Sequence, residues 1–266
     1  MPSGQAVFTP TRLSPNPWLP SEIVENVDGR FLILPNDGIG GHLKRGDRWE
    51  PHFTRLVQHV LPRGATVIDA GANLGHHSVV MAKVVGPTGL VIAIEPQRIV
   101  FQQLCANAFL NGLTNVHAFQ WALGAAPNGV VHLNPVDYFA PWVNIGDTRV
   151  GAGGETVSVG TLDAFQALPV SFIKLDVQGS ELAALRGGSE IIRTHRPLLF
   201  LEVEEPHLRA MGTDSRELVQ HLLSLRYVLL KIKNDYPVDH LCVPSEKRHL
   251  LPHCIALLDS DYEVIE

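Results

Sequence analysis

Acidic side chains stand at the ends of three short apolar segments, where their chemistry would meet. Asp69, Glu95 and Asp176 end the segments 66–69, 90–95 and 171–176. Apolar runs of this length predict buried parallel strands. Because parallel strands present their carboxyl ends at one edge of a sheet, and ligands bind outside that edge, we expect the three carboxylates to share one site.

A glycine-rich turn follows the first of these strands. Gly71 lets the backbone approach a ligand closely, and Gly75 lets a helix start tightly against the sheet. The dinucleotide fingerprint G-x-G-x-x-G, begun at Gly71, requires glycine where the chain has Asn73 and His76. The carboxylate of Asp69 beside the turn repels phosphate and attracts an ammonium or sulfonium group. The turn therefore predicts a positively charged adenosine ligand without phosphate, S-adenosylmethionine, with Asn73 among its contacts.

Residues after the next two strands extend the predicted cofactor site. Glu95, followed by Pro96, is placed to accept hydrogen bonds from both ribose hydroxyls. Its alternative role is that of an acid stabilising the dipole of the following helix. Gln120 and Trp121 lie where an adenine edge would be read, and Gln120 offers a donor and an acceptor. Gln120 is alternatively an ordinary loop residue.

Methyl transfer from a sulfonium to a hydroxyl needs alignment and a base, and Asp176 is the leading candidate base. Lys174 lies two residues earlier and points to the same side of the strand. A lysine in an apolar strand needs a partner, so Lys174 either serves the active site or forms a structural ion pair with Asp176 or Glu202. Glu202 shares one side of the next strand with Glu204. It is the second candidate, as a base or as an anchor for the acceptor hydroxyl.

Histidines and cysteines are further candidates for chemistry. His77, next to His76 at the start of a predicted helix, is a candidate base facing the acceptor, with packing or capping as the alternative. A second group near the C-terminus has no zinc-finger spacing, and Pro252 keeps its histidines off one regular helical face. It comprises Cys242, His249, His253 and Cys254. We expect no metal site there, and we expect Cys254 to be a buried thiol in a strand.

Strands alternating with helices are predicted to position these residues. The seven predicted strands are 66–69, 90–95, 116–119, 171–176, 197–203, 227–231 and 253–258. The predicted helices are 50–61, 75–85, 97–111 and 214–224. This alternation is typical of a doubly wound, mostly parallel, Rossmann-like α/β sheet covered on both faces.

Two regions depart from the alternation. Residues 1–20 hold five prolines and are predicted to form an extended arm, and residues 23–35 two short strands with a turn at Asp28. The segment 124–160, rich in Gly, Asn and Pro, is either a hairpin that extends the sheet edge or a lid facing the substrate. We expect an N-terminal arm and extension over 1–62 and one domain over 63–266.

Composition restricts the function classes. With 45% hydrophobic residues the 266-residue chain can form a core, and a disordered chain is excluded. A net charge of −6 argues against broad nucleic-acid binding. The apolar runs are too short to span a bilayer, no signal-peptide pattern is present, and three cysteines make no disulfide framework. These features predict a cytoplasmic protein.

Several of these motifs together resemble the FkbM-type methyltransferase family. They are Ile68 to Gly75, Ile94-Glu95-Pro96, Asn115-Val116, Ala122-Leu123-Gly124 and Lys174 to Glu181, within residues 48–205. The resemblance implies a class I methyltransferase fold, S-adenosylmethionine as cofactor, and O-methylation of hydroxyls on natural products, glycans or lipids. The family also often has an acid in the region of Glu50, and we therefore expect Glu50 to border the cofactor or acceptor pocket. Where the family often has glutamate, this chain has Gln178, which cannot act as a base.

The sequence thus predicts an S-adenosylmethionine-dependent O-methyltransferase acting on a small-molecule, glycan or lipid acceptor. The first alternative is a nicotinamide-dependent oxidoreductase, against which Asn73 and His76 argue. The second is a module that binds the cofactor without catalysis, which Gln178 leaves open. A third keeps the chemistry and changes the acceptor to protein or nucleic acid. The oligomeric state stays open, with a homodimer as one option.

Overall fold

The computed structural model describes residues 18–233, 238–258 and 261–266. The arm predicted at the N-terminus therefore falls, up to residue 17, outside the described residues. The helices are α1 (Gly38–Lys44), α2 (Pro51–Val60), α3 (His76–Val85), α4 (Arg98–Leu110), α5 (Glu181–Arg186), α6 (Ser189–His195), α7 (Glu205–Ala210), α8 (Ser215–Ser224) and α9 (Leu251–Leu258).

The strands alternate with these helices over the middle of the chain. They are β1 (Glu22–Asn26), β2 (Gly29–Ile33), β3 (Thr66–Ala70), β4 (Leu90–Ile94), β5 (Val116–Phe119), β6 (Ala122–Leu123), β7 (Val130–His132), β8 (Thr156–Gly160), β9 (Val170–Leu175), β10 (Leu198–Glu202), β11 (Tyr227–Lys233), β12 (Asp239–Pro244) and β13 (Asp261–Ile265).

The central sheet has the strand order β13-β11-β12-β10-β9-β3-β4-β5. Strands β10, β9, β3, β4 and β5 pair in parallel, whereas β12 pairs antiparallel with both β10 and β11, and β13 antiparallel with β11. The α/β class and the mostly parallel sheet are confirmed. The predicted count of seven strands is wrong, because the described residues form a mixed sheet of eight.

The C-terminal error concerns residues 253–258, which were predicted to be a strand and belong to helix α9. A six-residue apolar run does not separate a strand from a helix. Pro252 is the second residue of α9, a position where the missing N–H costs no hydrogen bond. Leu251 and Cys254 are buried on one face of this helix against α2. Cys254 is thus a buried thiol on a helix.

Alternating side chains of the parallel strands form two apolar layers. Val67 of β3 packs with α2, α3 and α9, and its neighbour Ile68 packs on the opposite face with α5, α6 and α8. The sheet is therefore covered on both sides, as its continuous apolar strands require. No helix within the described ranges has the length and apolar character needed to cross a bilayer.

The N-terminal hairpin β1–β2 packs beside α4 through asparagine side chains. Asn107 accepts a hydrogen bond from Leu32 N at 2.6 Å, and Asn111 accepts one from Arg30 N at 3.2 Å. The predicted pair of strands with a turn at Asp28 is thus present.

The segment 124–160 contributes to a small sheet separate from the central one. β8 pairs antiparallel with β7 and in parallel with β6. A short 3-10 helix, Ile145–Asp147, follows β7 and lies at the carboxyl edge of the central sheet, where Gln97 Nε2 donates to Ile145 O at 2.9 Å. The segment therefore does not extend the edge of the central sheet, and it reaches over the site described next.

Candidate active site

The glycine-rich turn after β3 brings two strand ends together. Gly71 has φ +76°, and a Cβ there would collide with the carbonyl oxygen of Asp176. Gly71 N and Ala72 N both donate to Ile94 O, at 2.9 and 3.0 Å. Only a residue without a side chain fits this close approach, so Gly71 fixes the distance between the turn and Asp176.

Glu95 is buried at the end of β4 and faces the turn. Its two carboxylate oxygens accept hydrogen bonds from Asn73 N at 2.9 Å and from Gln97 N at 2.8 Å. Burial raises the pKa of Glu95 to about 7, although these two backbone donors oppose the shift. Each carboxylate oxygen accepts more than one hydrogen bond, so Glu95 retains capacity for a pair of hydroxyls.

A cleft of about 600 Å³, the cofactor cleft, opens beside these groups. Its wall includes Gly71, Asn73, Glu95, Pro96, Trp121 and Asp176 among the residues predicted for the site. The segment 124–160 also contributes to the wall, through Leu133, Gly146, Thr148 and Val150. The missing Cβ at Gly71 and the acceptor capacity of Glu95 fit an adenosine-type ligand.

Four predicted cofactor residues, Glu50 among them, lie outside the wall of this cleft. Asp69 is fully buried beneath the turn, where it accepts a hydrogen bond from Ser78 Oγ at 2.5 Å. Gly75 has φ +90° and lies against Leu104 of α4, so it serves the packing of α3. Gln120 donates to Pro96 O at 3.4 Å.

Lys174 joins two of the carboxylates at the sheet edge. Its Nζ lies 3.0 Å from Asp176 Oδ2 and 3.9 Å from Asp69 Oδ1, with only 4% of the side chain exposed. Burial disfavours the charge, but the carboxylates of Asp176, Asp69 and Glu50 outweigh it and raise the pKa of Lys174 above its usual value. Lys174 therefore stays protonated and holds Asp176 in place.

Gln178 occupies the position between Asp176 and Glu202. Its Nε2 donates to Asp176 Oδ1 at 2.8 Å and to Glu202 Oε2 at 3.4 Å. The ion pair of Lys174 is thus with Asp176 and Asp69, and an amide group links Asp176 to Glu202. Repulsion from Asp176, together with burial, raises the pKa of Glu202 well above its usual value.

A second cavity of about 930 Å³, the acceptor cavity, meets the cofactor cleft at Asp176. Asn73, Gly146 and Gln178 also line both spaces. Glu202 and Glu50 line the acceptor cavity and not the cofactor cleft. The predicted catalytic carboxylates therefore lie on one continuous surface.

The two histidines of α3 are buried behind this surface. His76 Nε2 lies 3.2 Å from Asp28, which also contacts Arg48 at 3.1 Å. The ring of His77 packs on Phe53 at 4.2 Å between centroids, and its Nε2 lies 3.6 Å from Glu50 Oε2. Burial, reinforced by Lys174, lowers the pKa of His77 well below its usual value. His77 lies behind Glu50 and lines neither space.

Sequence patterns did not single out several residues of the acceptor cavity. Asp147 and His207 come together across 60 positions of sequence, with Nε2 of His207 3.0 Å from Asp147 Oδ1. Asp239 lies on the unpredicted strand β12, opposite Glu202 in the pairing register. No local sequence signal marks such pairs. The pairing of β10 with β12 would have indicated Asp239 had β12 been recognised.

The cysteines and histidines near the C-terminus do not converge. Cys242 is buried in β12 and Cys254 in α9. Across 18–233, 238–258 and 261–266, no group of three or more His, Cys, Asp or Glu side chains has the geometry to hold a metal ion.

Comparison with known families identifies the class. A profile of the FkbM methyltransferase domain matches residues 69–229, which is more than half of the chain. The chain belongs to this family. The matched region is a methyltransferase domain with S-adenosylmethionine as its cofactor.

Two methyltransferases are among the solved structures similar to this chain. An FkbM methyltransferase from Methylobacillus flagellatus KT is 21% identical, with 72% of this chain and 47% of that chain covered and a TM-score of 0.49. An O-methyltransferase from Bacillus cereus in complex with S-adenosylhomocysteine is 12% identical, with 77% and 84% covered and a TM-score of 0.47. The chain spans less than half of the Methylobacillus protein. No curated protein matches it.

Proposed function

We propose that the protein transfers a methyl group to a hydroxyl of a small-molecule, glycan or lipid acceptor, with Asp176 as the base. The observation that carries this proposal is the position of Asp176, which lines both the cofactor cleft and the acceptor cavity. When bound, S-adenosylmethionine supplies an electrophilic methyl group. A hydroxyl lying between the two spaces can pass its proton to Asp176 while its oxygen forms the new bond.

The other residues have supporting roles in this proposal. Lys174 orients Asp176 and restricts its rotation, because the buried Nζ lies 3.0 Å from the Asp176 carboxylate. Glu202 anchors the acceptor, since it lines the acceptor cavity and not the cofactor cleft. Glu95, Asn73, Pro96 and Trp121 hold the cofactor. In this arrangement His77 has a packing role. Residues 63–266 form the catalytic domain, and residues 1–62 are its extension.

Substitution of the base tests the proposal. We expect Asp176→Asn to lower kcat about 10²- to 10⁴-fold, the usual contribution of general base catalysis, with the Kd for S-adenosylhomocysteine within about threefold of wild type. Calorimetry measures the binding, and labelled methyl incorporation into hydroxyl-bearing extract components measures the turnover. Glu190→Gln, on an exposed helix surface, is the control.

Two results would contradict the assignment. Unchanged turnover of the bound complex in Asp176→Asn would make Asp176 a binding residue. Cofactor binding by the wild type with no transfer to any acceptor would favour a non-catalytic binding module.

A further inference from the structure

The acceptor cavity has more carboxyl groups than cationic side chains on its wall. The carboxylates on its wall are Glu50, Asp147, Asp176, Glu202, Glu204 and Asp239. In the part of the chain that the structure describes, this wall includes no lysine or arginine. The nearest buried cation, Lys174, lies behind Asp176 and is already shared with Asp69.

The histidines at this wall are engaged by particular carboxylates. His207 lies between Asp147 and Glu204, at 3.0 Å from each. His52 Nε2 lies 2.8 Å from Asp239 Oδ2. These contacts leave Glu50 and Glu202 without a cation of their own on the wall of the cavity.

A second observation concerns the buried atom behind Glu50. His77 Nε2, on a side chain that is 7% exposed, has no hydrogen-bond partner and is directed at Glu50 Oε2, which faces the cavity. The imidazole stays neutral because burial lowers its pKa. Burial and the neighbouring Asp239 raise the pKa of Glu50 to about 8. A cation entering the cavity would relieve this repulsion and ionise Glu50.

The cofactor cannot supply this charge. Its sulfonium and ammonium groups exceed its own carboxylate by a single positive charge, and the cofactor cleft already contains Glu95 and Asp176. Glu50, Glu202, Glu204 and Asp239 line the acceptor cavity and not that cleft. The other ligand that can enter this cavity is the acceptor, and we assign the unbalanced carboxyl groups to it.

We propose that the acceptor is a vicinal amino alcohol, whose protonated amine binds Glu202 and Glu50 while the neighbouring hydroxyl is methylated at Asp176. The proposal rests on the proposed function and adds the substrate class. The single amide of Gln178 contacts both Asp176, at 2.8 Å, and Glu202, at 3.4 Å. The two carboxyl groups therefore lie close enough for neighbouring groups of one acceptor to contact both. Trp49 lies on the same wall, and indole is a side chain that attracts cations.

The atoms balance in this step. The hydroxyl oxygen forms the bond to the methyl carbon as the carbon–sulfur bond breaks, leaving a thioether. The hydroxyl proton goes to Asp176 and then to water. The ammonium keeps its protons, which the carboxylates hold, so the amine is not the nucleophile.

Three disaccharides with one β-1,4 skeleton test the charge requirement. The diamine of two glucosamine units carries two vicinal amino alcohols, cellobiose has hydroxyls in place of the amines, and N,N′-diacetylchitobiose has neutral amides. Each is titrated by calorimetry into protein saturated with S-adenosylhomocysteine. We expect the diamine to bind at least about tenfold more tightly than either neutral sugar. We expect Glu202→Gln and, independently, Glu50→Gln to weaken it at least about tenfold, with Glu190→Gln within about twofold.

The proposal would be overturned by equal binding of the three sugars, by no binding of the diamine, or by unchanged affinity in both folded variants. Thermal unfolding is the control that checks whether each variant is folded. The outcome is separable from that of the proposed function, because binding to the S-adenosylhomocysteine complex requires no transfer. Binding of the diamine that depends on Glu202, without methyl incorporation into its hydroxyls from S-adenosylmethionine, would contradict the hydroxyl chemistry and leave the cation recognition standing.

Discussion

Lys174 is the residue whose position the sequence indicated most directly. A lysine inside an apolar strand needs a buried partner, and the strand period places Asp176 on the same side. The contact with Asp176 could therefore be predicted. The contact with Asp69 of the neighbouring strand β3 depends on sheet register, and the amide of Gln178 between Asp176 and Glu202 depends on its φ of 52°. Neither follows from the local sequence.

Removing the Lys174 charge should destabilise the protein. We expect Lys174→Met to lower the free energy of unfolding by about 3–5 kcal/mol, because it leaves buried carboxylates without their cation. Lys233→Met is the matched control, since Lys233 forms an exposed pair with Glu263 and its loss should cost less than about 1 kcal/mol. Urea unfolding measures both variants. Equal effects would mean that the Lys174 pair contributes little to stability.

At the scale of elements, the alternating strands and helices from β3 to β5 and the strands β9, β10 and β11 were predictable, whereas β12 and β13 were not. β12 begins with Asp239 and His240, which are buried although polar, so no apolar run marks its start. In β13, four of the five residues are exposed, so no buried face marks this edge strand. The missed β12 also concealed Asp239, a residue of the acceptor cavity.

The segment 124–160 behaves as a cover over both spaces. Gly146 lines the two of them, and Asp147 contacts His207 of α7 on the far side of the acceptor cavity. This contact closes the segment onto the core, so it should restrain local opening more than global unfolding.

Asp147→Asn should loosen the cover. We expect amide hydrogen exchange over residues 144–150 to accelerate about fivefold, equivalent to a contact of roughly 1 kcal/mol, with little change in global unfolding. Asp137→Asn is the control in the same segment, because its carboxylate accepts a hydrogen bond from Phe139 N within its own loop. Exchange that is the same in both variants would show that the His207 contact does not hold the segment closed.

At the scale of the whole molecule, buried carboxyls concentrate at one edge of the sheet. Burial raises the pKa of Glu95 and Glu181 to about 7 and that of Glu50 to about 8. Such groups bind more protons in the folded state, so stability falls as pH rises from the ordinary value of 4.5 to the folded value. Burial lowers the pKa of His77, so this residue makes stability increase as pH rises. That effect is confined to pH values below its ordinary pKa of 6.5. Burial also lowers the pKa of His221 and His240, so they affect stability in the same way as His77.

The cofactor-free protein should therefore lose stability between pH 6.5 and 8. Above pH 6.5 these histidines are neutral in both states, and each raised carboxyl contributes at most about 1.4 kcal/mol per pH unit. We expect Tm to fall across this interval and the fall to be smaller in Glu50→Gln, with Glu190→Gln matching wild type. A Tm that stays constant or rises from pH 6.5 to 8 would contradict the raised pKa values.

The central claim is that the edge formed by the glycine turn and Glu95 holds the cofactor, and calorimetric titration with S-adenosylhomocysteine tests it most directly. Loss of a charged hydrogen-bond acceptor costs about 1.5–3 kcal/mol, so we expect Glu95→Gln to weaken binding roughly ten- to hundredfold. Glu190→Gln should bind as wild type does, and NAD should not bind. Unchanged affinity in a folded Glu95→Gln variant, or binding of NAD in place of S-adenosylhomocysteine, would contradict the account of this site.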